Sequence, residues 1–162
     1  MSARWDHGGV GLNDRIEVCY GEHAESLSRF AVSLVGPSDA PDVLSAAVLR
    51  VLQTSSRIDN LHGYLYRCVH RAALQHWRTN RRRLRREERA QAPSRLEDEY
   101  SDPSIALAML AMSPRQRAVV HLTYWEDLTT SQIAERLDIS IGTVKRHRTR
   151  AHQKLSEALI DG

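Results

Sequence analysis

The sequence predicts an all-α protein built of two small helical domains, and three observations carry that prediction. Apolar residues recur every three or four positions along several segments, which marks helix faces. Capping boxes of the form Ser/Thr-x-x-Gln, together with Pro and Gly, punctuate the chain where helices would start and stop. No segment alternates apolar and polar residues as a half-buried strand does.

The first helix is expected to start near Asn13, a good N-cap residue. Ile16, Tyr20, Ala24, Leu27, Ala31 and Leu34 follow on one face, and Gly36-Pro37 ends it. Asp39 is placed to cap a second helix with Pro41 in its first turn. Its apolar stripe is Val43, Leu44, Ala47, Val48, Val51 and Leu52. Thr54 to Asn60 reads as a polar loop. A third helix from about Leu61 to about Arg89 carries Leu61, Leu65, Cys68 and Ala72 on one face, and its far end is too charged to be buried. Pro93, Ser94, an acidic run and Ser101-Asp102-Pro103 then read as a linker. Beyond it, Ile105 to Met112 is a short apolar helix. Ser113-Pro114-Arg115-Gln116 opens the next, which carries Val119, Val120 and Leu122. Thr129-Thr130-Ser131-Gln132 opens a short helix with Ile133, Ala134 and Leu137. Ser140 caps the last helix, with Val144, Ala151, Leu155 and Leu159 as its apolar positions. The expected organisation is a disordered extension (1–12), a first domain (13–89), a linker (90–103) and a second domain (104–162).

Apolar residues make up 41% of the 162, enough for small helical cores. The net charge of +3 hides a strong asymmetry. Arg67 to Arg89 holds nine Arg against Glu87 and Glu88, whereas Glu97, Asp98, Glu99 and Asp102 face only Arg95 in the linker. Lys145, Arg146, Arg148, Arg150 and Lys154 form a second basic run. Clustered cations are the footprint of a nucleic-acid partner; a merely solvated helix end is the other reading of Arg81 to Arg86. Cys19 and Cys68 are too few for a disulfide framework, so both are expected reduced, in a cytoplasmic protein. Met1 to Gly11 lacks the apolar core of a secretory leader, and no apolar run reaches membrane-spanning length. Cys19 and His23 have the spacing of two metal ligands on a helix, but nothing nearby completes a site. With no phosphate loop and no hydrolase or zinc-protease motif, neither a cofactor nor enzymatic chemistry is expected.

Thr130 to Arg150 has the spacing of a helix-turn-helix. Ala134 supplies the small residue where the two helices touch. Asp138 stands in the turn, where a residue tolerant of positive φ is needed. Val144 packs the second helix on the first. That helix would offer Thr143, Lys145, Arg146, His147 and Arg150 to a major groove. Arg148 falls near the helix–helix seam, where it either snorkels outward or marks a small shift in the phase of the helix. An ordinary helical hairpin with a basic solvated face is the alternative.

The residues Ser113-Pro-Arg-Gln-Arg, Leu128-Thr-Thr-Ser-Gln-Ile-Ala-Glu-Arg-Leu and Gly142-Thr-Val-Lys-Arg closely resemble region 4 of sigma-70 family factors. They also resemble the DNA-binding unit of LuxR-type regulators. The front half separates the two, because Asp39-Ala-Pro-Asp-Val-Leu and Val48-Leu-Arg-Val-Leu resemble sigma region 2.2. Leu61 through Tyr64-Leu-Tyr-Arg to Ala73-Leu-Gln-His-Trp-Arg resembles regions 2.3 and 2.4. The short spacer is similar to that of the extracytoplasmic-function group. Ser45 and Ala46 stand where the family usually has Gln and an acid. Val48 and Leu52 stand where it often has an aromatic, and Arg71 and Gln75 where Asn and Asp are common.

That resemblance implies a sigma factor that directs promoter-specific initiation without catalysis. Its partners would be core RNA polymerase, through the β′ clamp helices and the β flap, promoter DNA and an anti-sigma factor. Asp42, Val43, Ser45, Ala46 and Arg50 would dock on the polymerase. Arg71, Gln75, Trp77, Arg78 and Arg82 would act at the −10 element, and the helix-turn-helix at the −35 element. Physically, Arg71, Gln75, Arg78 and Arg82 share a stripe suited to phosphates. Tyr64, Tyr66 and Trp77 interleave with the arginines, and rings so placed either stack on unpaired bases or pack in the core.

Overall fold

The computed structural model describes residues 11–54, 57–86 and 102–161. Among these residues there are seven helices and no strand: α1 (Leu12–Val35), α2 (Ala40–Leu52), α3 (Leu61–Arg86), α4 (Pro103–Leu110), α5 (Pro114–Tyr124), α6 (Thr130–Leu137) and α7 (Ile141–Asp161). Residues 1–10 of the expected extension, 55–56 of the expected polar loop, 87–89 of the expected third helix and 90–101 of the expected linker lie outside the described residues.

Helix starts follow local chemistry, with four corrections. Gly11, not Asn13, is the N-cap of α1, because Leu12 packs on the core and draws the first turn back. Asp39 does stand at the N-cap of α2, but it makes no capping bond; its carboxylate turns to His76 Nε2 at 3.0 Å. The segment before α3 is less polar in role than in composition. Ile58 is buried, Arg15 donates to its carbonyl at 2.8 Å, and the Gly63 N–H donates to Asn60 Oδ1 at 2.9 Å. Asn60 thus satisfies one of the N–H groups that a helix start leaves free. Helix α4 begins two residues earlier than expected, since Asp102 accepts from the Ser104 N–H at 2.8 Å and Pro103 occupies the first turn. It ends at Leu110, where the chain turns into the Ser113 cap.

Both capping boxes form. Ser113 and Gln116 exchange bonds of 3.2 and 3.3 Å, and Thr129 and Gln132 bonds of 2.8 and 3.3 Å. Ser140 Oγ accepts from the Thr143 N–H at 3.1 Å and starts α7. At the end of α1, Gly36 has φ 86°, a left-handed conformation that a Cβ would disfavour. Two residues leave their expected stripes. Leu52 and Leu159 are exposed, because each lies at a helix end beyond the neighbouring helix's reach.

The core joins the two halves. One cluster runs from Leu27, Phe30, Leu65 and Val69 of α1 and α3 into Val119, Leu122 and Ile133 of α5 and α6. A smaller cluster of Met109, Met112, Val120 and Ala151 holds α4, α5 and α7 together. Polar bonds stitch the same seam. Arg117, itself buried, donates through Nε to Met109 O at 2.7 Å, through Nη2 to Leu110 O at 3.1 Å and through Nη1 to Leu34 O at 2.9 Å. It thereby supplies donors to the C-terminal carbonyls of both α4 and α1. The Tyr66 hydroxyl donates to Glu126 at 3.1 Å, and the Arg136 guanidinium sits 4.8 Å above the Tyr66 ring.

Candidate nucleic-acid interface

Helices α6 and α7 meet across a turn that local chemistry dictates. Ala134 and Val144 are buried where the helices touch. The Ile139 N–H donates to Ala134 O at 3.0 Å and closes α6. Asp138 takes φ 56° and ψ 51°, the left-handed conformation that the spacing requires. A β-branched residue tolerates that conformation poorly. Asp138→Val is therefore expected to cost about 1–2 kcal/mol and lower the melting temperature by about 3–6 °C. Thermal unfolding followed by circular dichroism checks this; an unchanged midpoint would mean the turn carries no strain.

Arg148 does not snorkel. It is half-buried, and its Nη1 donates to Thr130 Oγ1 at 3.0 Å, tying α7 to the first turn of α6. A polar residue at this seam is thus explained by a partner that helix periodicity does not reveal.

The structure gathers Lys145, Arg146 and Arg150 on the exposed side of α7. Thr143 is half-buried, and its hydroxyl lies 2.8 Å from Ser140 Oγ. His147 departs from the group: it is half-buried, and its Nδ1 is buried with no hydrogen-bond partner.

On α3, Arg71, Gln75, Arg78 and Arg82 are exposed and recur at helical spacing along one stripe. Trp77 is half-buried, with the Arg81 guanidinium 5.1 Å from its ring centroid. Trp77, Arg78, Arg81 and Arg82 line an open hollow of about 250 Å³. Tyr64 is half-buried, its hydroxyl 3.3 Å from Thr54 Oγ1. Tyr66 is a correction: it is wholly buried against Phe30 and cannot stack on a base. The stripe also touches the helix-turn-helix. Arg71 pairs with Asp138 at 3.4 Å, and Arg67 donates to Glu135 O at 3.2 Å.

On α2, Asp42, Ser45, Ala46 and Arg50 face outward. Val43 does not. It is 2% exposed and belongs to the core, because one residue along a helix turns the side chain about 100°. Leu49 was missed. It is 54% exposed and sits four residues from Ser45 and seven from Asp42, on the same outward face. The signal was present in the sequence as an apolar residue in a polar register.

The chain matches the family model described as Sigma-70 region 2 over residues 19–83 and that described as Sigma-70, region 4 over residues 108–157. The RNA polymerase sigma-E factor of Streptomyces coelicolor is 32% identical over 145 residues, which cover 84% of this chain and 81% of that protein. The RNA polymerase sigma-E factor of Streptomyces antibioticus is 34% identical over 131 residues, covering 76% and 72%. Among solved structures, the sigma factor RpoE in complex with the anti-sigma factor NepR, from Bartonella quintana, shares the fold. The TM-score is 0.67 at 20% identity, over 90% of this chain and 96% of that one. The helical front half leaves no place among the described residues for the mixed helix-and-strand sensing domain of a LuxR-type regulator. With both sigma regions in order and relatives above 30% identity over most of its length, the chain belongs to the sigma-70 family as an RNA polymerase sigma factor of the extracytoplasmic-function type.

Proposed function

We propose that this sigma factor reads the −35 element with α7 and holds the −10 element on the arginine stripe of α3. The outward face of α2 then docks on the β′ clamp helices of core polymerase. The observation that carries the reading is the cationic trio Lys145, Arg146 and Arg150, exposed on the second helix of a formed helix-turn-helix. Those side chains neutralise phosphates and reach base edges in a major groove. On α3, Arg71, Arg78 and Arg82 supply phosphate contacts, and the Trp77 hollow supplies a surface for an unpaired base. On α2, Asp42, Ser45, Ala46 and Arg50 surround the exposed Leu49, an apolar centre with a polar rim. The region-4 half is the part assigned to the β flap. An anti-sigma factor is a further partner, as for the Bartonella sigma factor that shares the fold. The site of action is the cytoplasm, where promoter DNA and polymerase are met. The protein contributes binding and no chemistry of its own.

The packed halves impose one requirement. Elements about 25 base pairs apart are separated by about 85 Å of duplex at roughly 3.4 Å per pair. Arg71 and Asp138 lie 3.4 Å apart, so the seam must open before both elements are engaged. Core RNA polymerase supplemented with the protein on a genomic template library is expected to yield new promoter-specific run-off transcripts. A core enzyme that gains none would refute the proposal.

A further inference from the structure

Two imidazoles lie at the joint between the halves, one buried and one half-buried, and each has a buried ring nitrogen without a hydrogen-bond partner. His70 of α3 is 4% exposed, and its Nε2 is buried without a hydrogen-bond partner. His147 of α7 has a buried Nδ1 in the same condition. The charged groups acting on His70 are Arg71 of its own helix, Arg115 of α5 and His147 of α7. Those acting on His147 are Arg115, Arg146 and Arg150. All are cationic. Asp138, a carboxylate at this joint, is already on Arg71.

We propose that the joint is acid-labile: a proton on His70 Nε2 or His147 Nδ1 has no acceptor in the packed form, and the two rings between them feel arginines from both halves, so mild acid releases α4–α7 from α1–α3. Neutral imidazoles tolerate that place, because one ring nitrogen needs no donated proton. An imidazolium there needs solvent or a carboxylate, and separation of the halves provides solvent. Burial first, and the arginines second, push His70 down to about 4 from the ordinary 6.5. Burial and the neighbouring arginines lower His147 as well. The packed form therefore binds fewer protons than the separated one. Its stability is complete above pH 6.5 and falls as the pH drops toward 4. Between pH 7.5 and 5.0, His70 alone shifts the balance toward separation about 30-fold. His121, buried at the same joint against Phe30, is likewise pushed down to about 4 by burial, and Glu126, 3.7 Å from its Nε2, offsets only part of that effect.

The inference rests on packing and does not depend on promoter reading, so either can fail alone. The test uses the full chain with Cys19→Ser, labelled with a donor and an acceptor dye at Glu17→Cys and Glu157→Cys, all at fixed salt. Energy transfer is counted molecule by molecule from pH 7.5 to 5.0, with helix content followed by circular dichroism. The expected result is a low-transfer population that grows about 30-fold at constant helix content. The growth should be reduced in the His70→Gln/His147→Gln double variant, and reduced further when His121→Gln is added, because His121 is buried at the same joint. It should also be reduced in Arg115→Gln, whose side chain is exposed and whose loss spares the core. Growth of less than threefold in the parent would overturn the proposal, as would equal growth in these variants. Loss of helix content in step with the fall in transfer would also overturn it, since that would be unfolding of the whole chain.

Discussion

Replacing Arg117 with methionine is expected to destabilise the protein by about 3–5 kcal/mol, the largest single effect available outside the apolar core. Methionine roughly keeps the stem, so the loss falls on the head group. Three carbonyls, Met109 O, Leu110 O and Leu34 O, lose a charged donor in a buried place. Each orphaned acceptor costs about 1–3 kcal/mol, and the relief of no longer burying a cation offsets part of the sum. At about 2–4 °C per kcal/mol for a chain of this size, the melting temperature should fall by about 6–20 °C. Arg117→Lys should not rescue it, because one ammonium cannot reach acceptors on two different helices as the planar fork does. Thermal denaturation checks both variants, and a midpoint within 2 °C of the parent would show that the staple contributes little.

The second large effect lies on the opposite link of the chain, binding without folding. Lys145→Glu with Arg146→Glu should lower affinity for −35 DNA by at least about 100-fold. Two contacts to base edges or phosphates are lost, each worth about 1–3 kcal/mol, and two anions now face the backbone. Both side chains are exposed, so stability should move by no more than about 0.5 kcal/mol per site. The slope of log affinity against log salt should fall by about 2. Binding to core polymerase should stay intact, because α2 is untouched. Equilibrium binding of the holoenzyme to −35 duplex at several salt concentrations, beside a pull-down with core, measures both. Simultaneous loss of core binding would sink the assignment of these residues to DNA.

What was readable in advance follows the range of the interactions. The two capping boxes, the left-handed Asp138 and the buried Ala134 and Val144 are set by residues within a few positions of one another, and the structure has each of them. Asn60 is as local, yet its capping role was hidden because the segment before α3 read as a uniformly polar loop. Side chains that point one way by periodicity were harder. Val43 counted as a docking residue because its neighbours do, but the helix turns it into the core. Tyr66 sits among arginines in the sequence and against Phe30 in space. His147 belongs to the second helix of the helix-turn-helix by position, while its ring is held at the joint with the front half.

The amino-acid sequence by itself determined seven helix-forming segments, the geometry of the helix-turn-helix and the family, because periodicity, caps and motif spacing are written within short stretches. Only the tertiary structure decided that the two halves share one core. Arg117 reaches a helix end 83 residues away, and Tyr66 finds its carboxylate 60 residues away. A pattern of apolar spacing says which face of a helix is buried. It does not say against which partner, because hydrophobic burial is non-directional and many pairings bury the same stripe. Pairing is settled by shape and by the few polar groups that must find donors and acceptors once water is gone.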